Sequence, residues 1–396
     1  MQKRIIQSIV IILGLVLIAV VVKDAFQTAK DSNLTATTDE QMTIPFPSGL
    51  TPMMLAENAV LIKEPRSVDD NTSEPQPTEL LEQHYVAFDF LESQIEGITE
   101  WSYEQHDKRY TLRVGDRTFQ YIDGMNVGRE GNRFFPFRGG IIEHEQSEDR
   151  ILVASDFLHY GLGYIMRTVT YNDGTKYLFV DGQEDFGVEQ NQPETELPVR
   201  QWDLEKRYQQ LKELDNPLPG SHVSTQASQW PGAPRPYRNG IHEGLDFYSY
   251  TSGVVITKNT AVRAMGDGIV LRADHDYREM DGNYRDNILR IAKEQAITPE
   301  YILDEVRGRS VWIQHANGIV ARYIHLNTID PEIKVGQPVA GGQIIGNVGN
   351  SGTSQGVDGS NEGVHLHLDI LIYGQLFWEG LSSQEGAAIL RRVLNE

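Results

Sequence analysis

The clearest alternation of apolar and polar positions is Val364-His365-Leu366-His367-Leu368-Asp369-Ile370. It predicts a half-buried strand, with the apolar residues on one face and His365, His367 and Asp369 on the other, the two imidazoles about 7 Å apart. Ser310–Gln314 and Ile319–Leu326 read as a hairpin through Ala316-Asn317-Gly318, with Tyr323 and His325 on one face of its second strand. Further upstream, Tyr110–Val114, Thr118–Tyr121, Tyr164–Tyr171 and Lys176–Val180 are short β-branched and aromatic runs, with Asn172-Asp173-Gly174 as the turn between the last two.

Helical periodicity is confined to a few places. Residues 203–214 predict a short charged helix capped by Asp203. Two amphipathic helices are predicted between Asp274 and Gly308, one over Asn283–Gln295 and one starting at Thr298-Pro299, with Thr298 as its cap. Their apolar stripes are Ile288, Leu289, Ile291 and Ala292, then Ile302, Leu303 and Val306, and such stripes need a surface to bury against. The pair is expected either to wall a groove or to pack on the outside for stability. A last helix is expected at 381–396.

At the N-terminus, Lys3 and Arg4 precede an apolar run from Ile5 to Val22, close to the ~20 residues that cross a bilayer. Val20, Val21, Val22 and Lys23 stand where a signal peptide would carry its small-residue cleavage site, which favours an uncleaved anchor with the rest of the chain exported. The predicted organisation is a transmembrane anchor at 1–24, a Thr-, Ser-, Glu- and Pro-rich tether at 25–83, a β-rich domain at 84–200, a helical linker at 201–217, a Gly-rich domain at 218–380 with a helical insertion at 275–308, and the C-terminal helix. The fold class is mainly β.

Charge and composition then narrow the chemistry. Acidic residues outnumber basic ones 56 to 35, and no basic stripe is present, so nucleic acid is not an expected partner. With no cysteine, there can be no disulfide, thiolate ligand or thiol nucleophile, and a metal site must use His, Asp and Glu. His84, His106, His144 and His159 are scattered without ligand spacing, and His275 and His315 read as structural. His242-Glu243-Gly244-Leu245-Asp246 places a His and a carboxylate four apart, within reach of one ion. Asn239-Gly240 and Gly244 argue for a loop entering a strand rather than a helix. Alone, this pair is as compatible with a surface turn, and the His365–His367 pair with a polar strand face.

Together, His242-x-x-x-Asp246, Tyr323-x-His325-Leu326 and His365-x-His367 form a pattern that resembles the LytM/lysostaphin-like zinc metallopeptidases of the M23 family. Gly266–Val270, Val335–Val339 and Gly342–Gly352 resemble that family's Gly-rich strands and turns, so the resemblance covers about residues 218–375. It implies an antiparallel β catalytic domain holding one Zn2+ on His242, Asp246 and His367. His325 and His365 would be the catalytic histidines, and Tyr323 would support the site or pack. The implied activity is a zinc-dependent endopeptidase acting on peptidoglycan stem or cross-bridge peptides outside the cytoplasm, by attack of a zinc-bound water. The alternative is a non-catalytic module of the same type that activates wall hydrolases or scaffolds an envelope complex. The long insertion at 275–308 departs from the family's short connection.

Overall fold

The structure is a computed structural model that describes residues 51–53, 85–88, 99–143, 151–170, 176–183, 197–295 and 297–394. The predicted anchor at 1–24, most of the tether and the turn at 172–174 lie outside the described residues. No helix among the described residues is long and apolar enough to cross a membrane. The fold is mainly β, and its sheets are antiparallel.

Five strands form a meander in sequence order: β1 (Thr99–Glu104), β2 (Arg109–Val114), β3 (Arg117–Ile122), β4 (Val127–Glu130) and β5 (Arg133–Pro136). Phe119, Phe135, Phe137 and Phe157 fill the core beside it. Tyr164–Thr170 pairs with Lys176–Gln183, and Thr51–Met53, inside the stretch expected to be tether, adds an edge strand to that pair.

The Gly-rich region is built on a seven-stranded sheet. Its strands are β6 (Leu245–Phe247), β7 (Gly268–Ala273), β8 (Val311–His315), β9 (Ile319–Ile324), β10 (Pro338–Val339) and β11 (Leu366–Ile372), in the spatial order β6-β11-β9-β8-β7-β10, with β12 (Gln375–Leu376) on the end of β11. Asn317 and Gly318, both at positive φ, make the predicted β8–β9 turn. Leu245, Phe247, Val270, Ile313, Tyr323, Leu366, Leu368 and Ile370 share one face. They pack with Leu211 of α1 (Leu204–Leu211) and with Ile389, Leu390 and Val393 of the C-terminal helix Ser383–Val393. Asp203 caps α1 as predicted, accepting from the Lys206 N–H at 2.8 Å.

The other face was expected to be open along β11, yet all seven residues of that strand are buried. Leu271, Trp312, Val320 and Leu371 cover one end of this face by joining the aromatic core beside the meander. Beside them runs a row of directly paired residues across four strands: Arg272 on β7 opposite Trp312 on β8, Trp312 opposite Arg322 on β9, and Arg322 opposite Asp369 on β11. The insertion lies over this row. It consists of α2 (Gly282–Glu294), capped by Asp281, and α3 (Glu300–Arg307). The predicted cap of α3 is displaced by one residue: Pro299 takes the position, and the Thr298 hydroxyl instead accepts from Arg238 at 3.0 Å. Helix α3 stops at Gly308, where φ is +64° and a Cβ would stand 2.4 Å from the Ser351 carbonyl carbon.

Candidate metal centre

His242 leaves the loop at Trp230–Ala233, tied to it by its own N–H on the Ala233 carbonyl at 2.7 Å and its carbonyl under the Gly232 N–H at 2.8 Å. Gly244 then lets the chain pass against β11, since a Cβ there would lie 2.0 Å from the Leu368 carbonyl oxygen. Asp246 follows on β6 directly opposite His367 on β11, so strand register alone puts both side chains on one face. Gly244→Ala should therefore cost at least ~3 kcal/mol. An unchanged urea midpoint and slope for that variant would contradict the stated packing.

The three side chains converge. His242 Nε2 lies 2.9 Å from Asp246 Oδ1 and 2.9 Å from His367 Nδ1, and His367 Nδ1 lies 2.8 Å from Asp246 Oδ1. The outer nitrogens fix the tautomers. His242 Nδ1–H donates to the Trp230 carbonyl at 2.9 Å, and His367 Nε2–H donates to Asp369 Oδ1 at 2.6 Å. Each neutral ring then points a bare lone pair at a carboxylate oxygen, and three acceptors facing one another repel unless a cation or proton sits among them. Burial lowers the His367 pKa, but the Asp369 and Asp246 carboxylates outweigh it and raise the value to about 9, so a proton competes for this point. Burial would raise the Asp246 pKa, yet His242, His367 and His365 hold it well below the usual range. The donor set of two imidazoles and a carboxylate, all buried, fits zinc and leaves a position for a fourth ligand.

His325 and His365 stand beside this triad, with ring centroids 4.7 Å apart. His325 Nδ1–H donates to the Ser351 carbonyl at 2.7 Å and His365 Nδ1–H to the Gly363 carbonyl at 2.8 Å, so each presents Nε2 as a proton acceptor. His365 Nε2 is 3.7 Å from Asp246 Oδ1. Burial pushes the pKa of His365 down and that of His325 well down, the other imidazoles adding to both. All five predicted residues line one open groove of about 630 Å3.

Tyr323 does not join them. Its ring lies in the core, and its hydroxyl accepts the Met265 N–H at 2.8 Å. The expected shared face with His325 fails because β9 ends at Ile324 and His325 adopts φ +63°, which turns its side chain out of the strand's alternation. Tyr248 occupies the site instead. Its ring stacks on His365 at 4.3 Å and 10°, and burial together with Asp246 keeps its hydroxyl protonated. The signal was available, since Tyr248 is two residues beyond Asp246, where alternation carried one residue past the end of β6 puts it on the same side. Arg235 also approaches, with Nη2 3.2 Å from Asp246 Oδ2. His275 and His315 bond backbone carbonyls, as expected of structural histidines.

The insertion runs along one side of the groove. Asn239, just before the His242 loop strand, donates to the Gln295 carbonyl at 2.7 Å, and the Arg307 carbonyl accepts the His325 N–H at 3.1 Å. Between these ends Arg285, Leu289, Leu303 and Val306 line the groove, while Ile288, Ala292, Tyr301 and Ile302 form their own small core. Groove wall and stabilising pack are therefore both true of it.

Residues 240–377 match the family described as Peptidase family M23. This segment is an M23 peptidase domain. The DD-carboxypeptidase/endopeptidase Mpg of Neisseria meningitidis serogroup B is 27% identical over 135 residues, covering 34% of this chain and 21% of that protein. The Peptidoglycan DD-endopeptidase ShyC of Vibrio cholerae serotype O1 is 27% identical over 133 residues, again 34% and 21%. The chain thus matches these relatives over about a fifth of their length. Among solved structures, the catalytic domain of the antimicrobial peptidase lysostaphin from Staphylococcus simulans aligns with 38% of this chain and 87% of its own, at 21% identity and a TM-score of 0.23. The insertion at 275–308 lies inside the M23 segment.

Proposed function

We propose that this chain is a zinc-dependent endopeptidase of peptidoglycan stem or cross-bridge peptides. The observation that carries the reading is the convergence of three acceptor atoms, 2.8–2.9 Å apart, beside two imidazoles that each hold out a bare Nε2. Zinc held by His242, Asp246 and His367 would supply Lewis acidity, polarising the scissile carbonyl and bringing the pKa of a water towards ~7. The Nε2 atoms of His325 and His365 are placed to take the proton that water loses and to return it to the amine as the peptide C–N bond breaks. Tyr248, held protonated, offers a hydroxyl donor at the groove for the developing oxyanion. The groove, walled on one side by the insertion, would orient the substrate against these groups. Action outside the cytoplasm, through an anchor at Ile5–Val22, belongs to the same proposal and rests on the sequence pattern.

Incubating the full-length chain with peptidoglycan and identifying the new termini by mass spectrometry tests this. Release of stem or cross-bridge peptides that a chelator abolishes is the expected result. Bound zinc without cleavage would favour the non-catalytic module. The pH profile adds a second check. His325 and His365 accept a proton only when neutral, and both are pushed below the ordinary imidazole value of ~6.5. The acid limb that belongs to these two imidazoles should therefore lie below pH 6.5, apart from any limb set by the zinc-bound water or by proton competition at His367. An acid limb at or above 6.5 that disappears in His325→Asn or His365→Ala would contradict this assignment.

A further inference from the structure

Behind His367 lies a set of charges, most of them buried, that the reaction itself does not use. Asp369 accepts the His367 Nε2–H through Oδ1, and Arg322 Nη2 stands 2.8 Å from its Oδ2. Arg307 of α3 brings Nε to 4.0 Å from the same oxygen. Glu300, one helical face along from Arg307, accepts from Arg307 Nη1 at 2.6 Å and lies 4.0 Å from Arg322 Nη1. Asp304, on that same face, lies 3.9 Å from Arg307 and binds Arg272, which in turn holds Asp274 at 2.8 Å. The Trp312 ring sits among the three guanidinium groups, at 5.4, 5.8 and 4.8 Å from Arg272, Arg307 and Arg322. Arg272, Arg307, Arg322, Asp274 and Asp369 are each at most 5% exposed.

Two features give this arrangement a direction. Glu300, Asp304 and Arg307 are spaced i, i+4 and i+7, so a single face of α3 is charged and lies over the row Arg272–Trp312–Arg322–Asp369. Three arginines meet four carboxylates, and the carboxylate at the end of the row is the one bonded to His367. Asp369 Oδ2 accepts no hydrogen bond, so this oxygen is held by its ion pairs with Arg322 and Arg307 together. Partners behind a metal-ligating histidine set its ring orientation and basicity.

We propose that α3 of the insertion is a positioning element of the metal centre: Arg307 and Glu300 set the Asp369 carboxylate, and through it the ring of His367. The inference rests on His367 being a metal ligand. Its test is the zinc affinity of the metal-free full-length chain, read by competition with a chelator of known affinity, alongside urea unfolding in the absence of metal. Glu300→Gln and Arg307→Leu should weaken zinc binding about 10–100-fold, and Arg307→Lys should recover most of the loss. If Arg307→Leu does not fold, Glu300→Gln, which keeps the shape and removes only the charge, decides the matter. Zinc affinity within twofold of the parent in folded Glu300→Gln, while Asp369→Asn loses it, would overturn the proposal and leave α3 a stabilising element only. A parent chain that takes up no zinc would instead overturn the ligand assignment, and the inference with it.

Discussion

His325→Ala and His365→Ala should each keep a full equivalent of zinc yet lose kcat/KM by on the order of 10²–10⁴-fold. The separation follows from where their nitrogens point. Both rings spend Nδ1–H on backbone carbonyls of the Gly349–Gly363 stretch, at 2.7 Å and 2.8 Å, and neither belongs to the cluster of converging donors formed by His242, Asp246 and His367. Removing one therefore deletes a proton carrier and leaves the metal's ligands in place. His325 calls for one further variant because it sits at φ +63°, a conformation that asparagine tolerates better than alanine. His325→Asn keeps the backbone and has no titrating nitrogen, so it should be as inactive as His325→Ala. Kinetics on a defined peptide, paired with metal analysis, check this. Loss of zinc from either alanine variant would mean that a ligand had been taken for a base, and near-parental kcat/KM in both would remove them from the proton path.

The site was legible in the sequence where its chemistry is written at short spacing. His367 and Asp369 alternate on one strand with His365 just before it, and His242 and Asp246 lie four apart around a glycine that the structure requires, so each pair was visible locally, although only the family resemblance joined them into one site. What the sequence withheld depends on tertiary contact. Glu300, Asp304 and Arg307 form the kind of charged helical face that usually meets water. Only the stacking of α3 on the row through Trp312 buries Arg307 and most of Asp304, while Glu300 at the start of the helix stays about a third exposed. The half-buried reading of β11 missed for the same reason, because Leu371 and its neighbours are covered by the aromatic core beside the meander. The sequence also carries no sign that a histidine, rather than a glycine, takes the positive φ at 325, and that one torsion sends Tyr323 and His325 to opposite faces.

The largest effect expected of any substitution is at the ligands. His242→Ala, Asp246→Ala or His367→Ala removes one of three converging donors, and the two that remain hold zinc poorly because they leave the ion with half of the four ligands it needs. His367→Ala does more than that. It strips Asp369, a fully buried carboxylate, of the N–H bonded to it at 2.6 Å, so this variant should also be the least stable of the three. Activity should fall below detection in each, in step with the metal. Elemental analysis of the purified full-length chain and these three variants, after equilibration with equal zinc, is the most direct measurement. One zinc per parent chain and almost none in each variant is the predicted result, and full occupancy in folded His367→Ala would contradict the account at its centre.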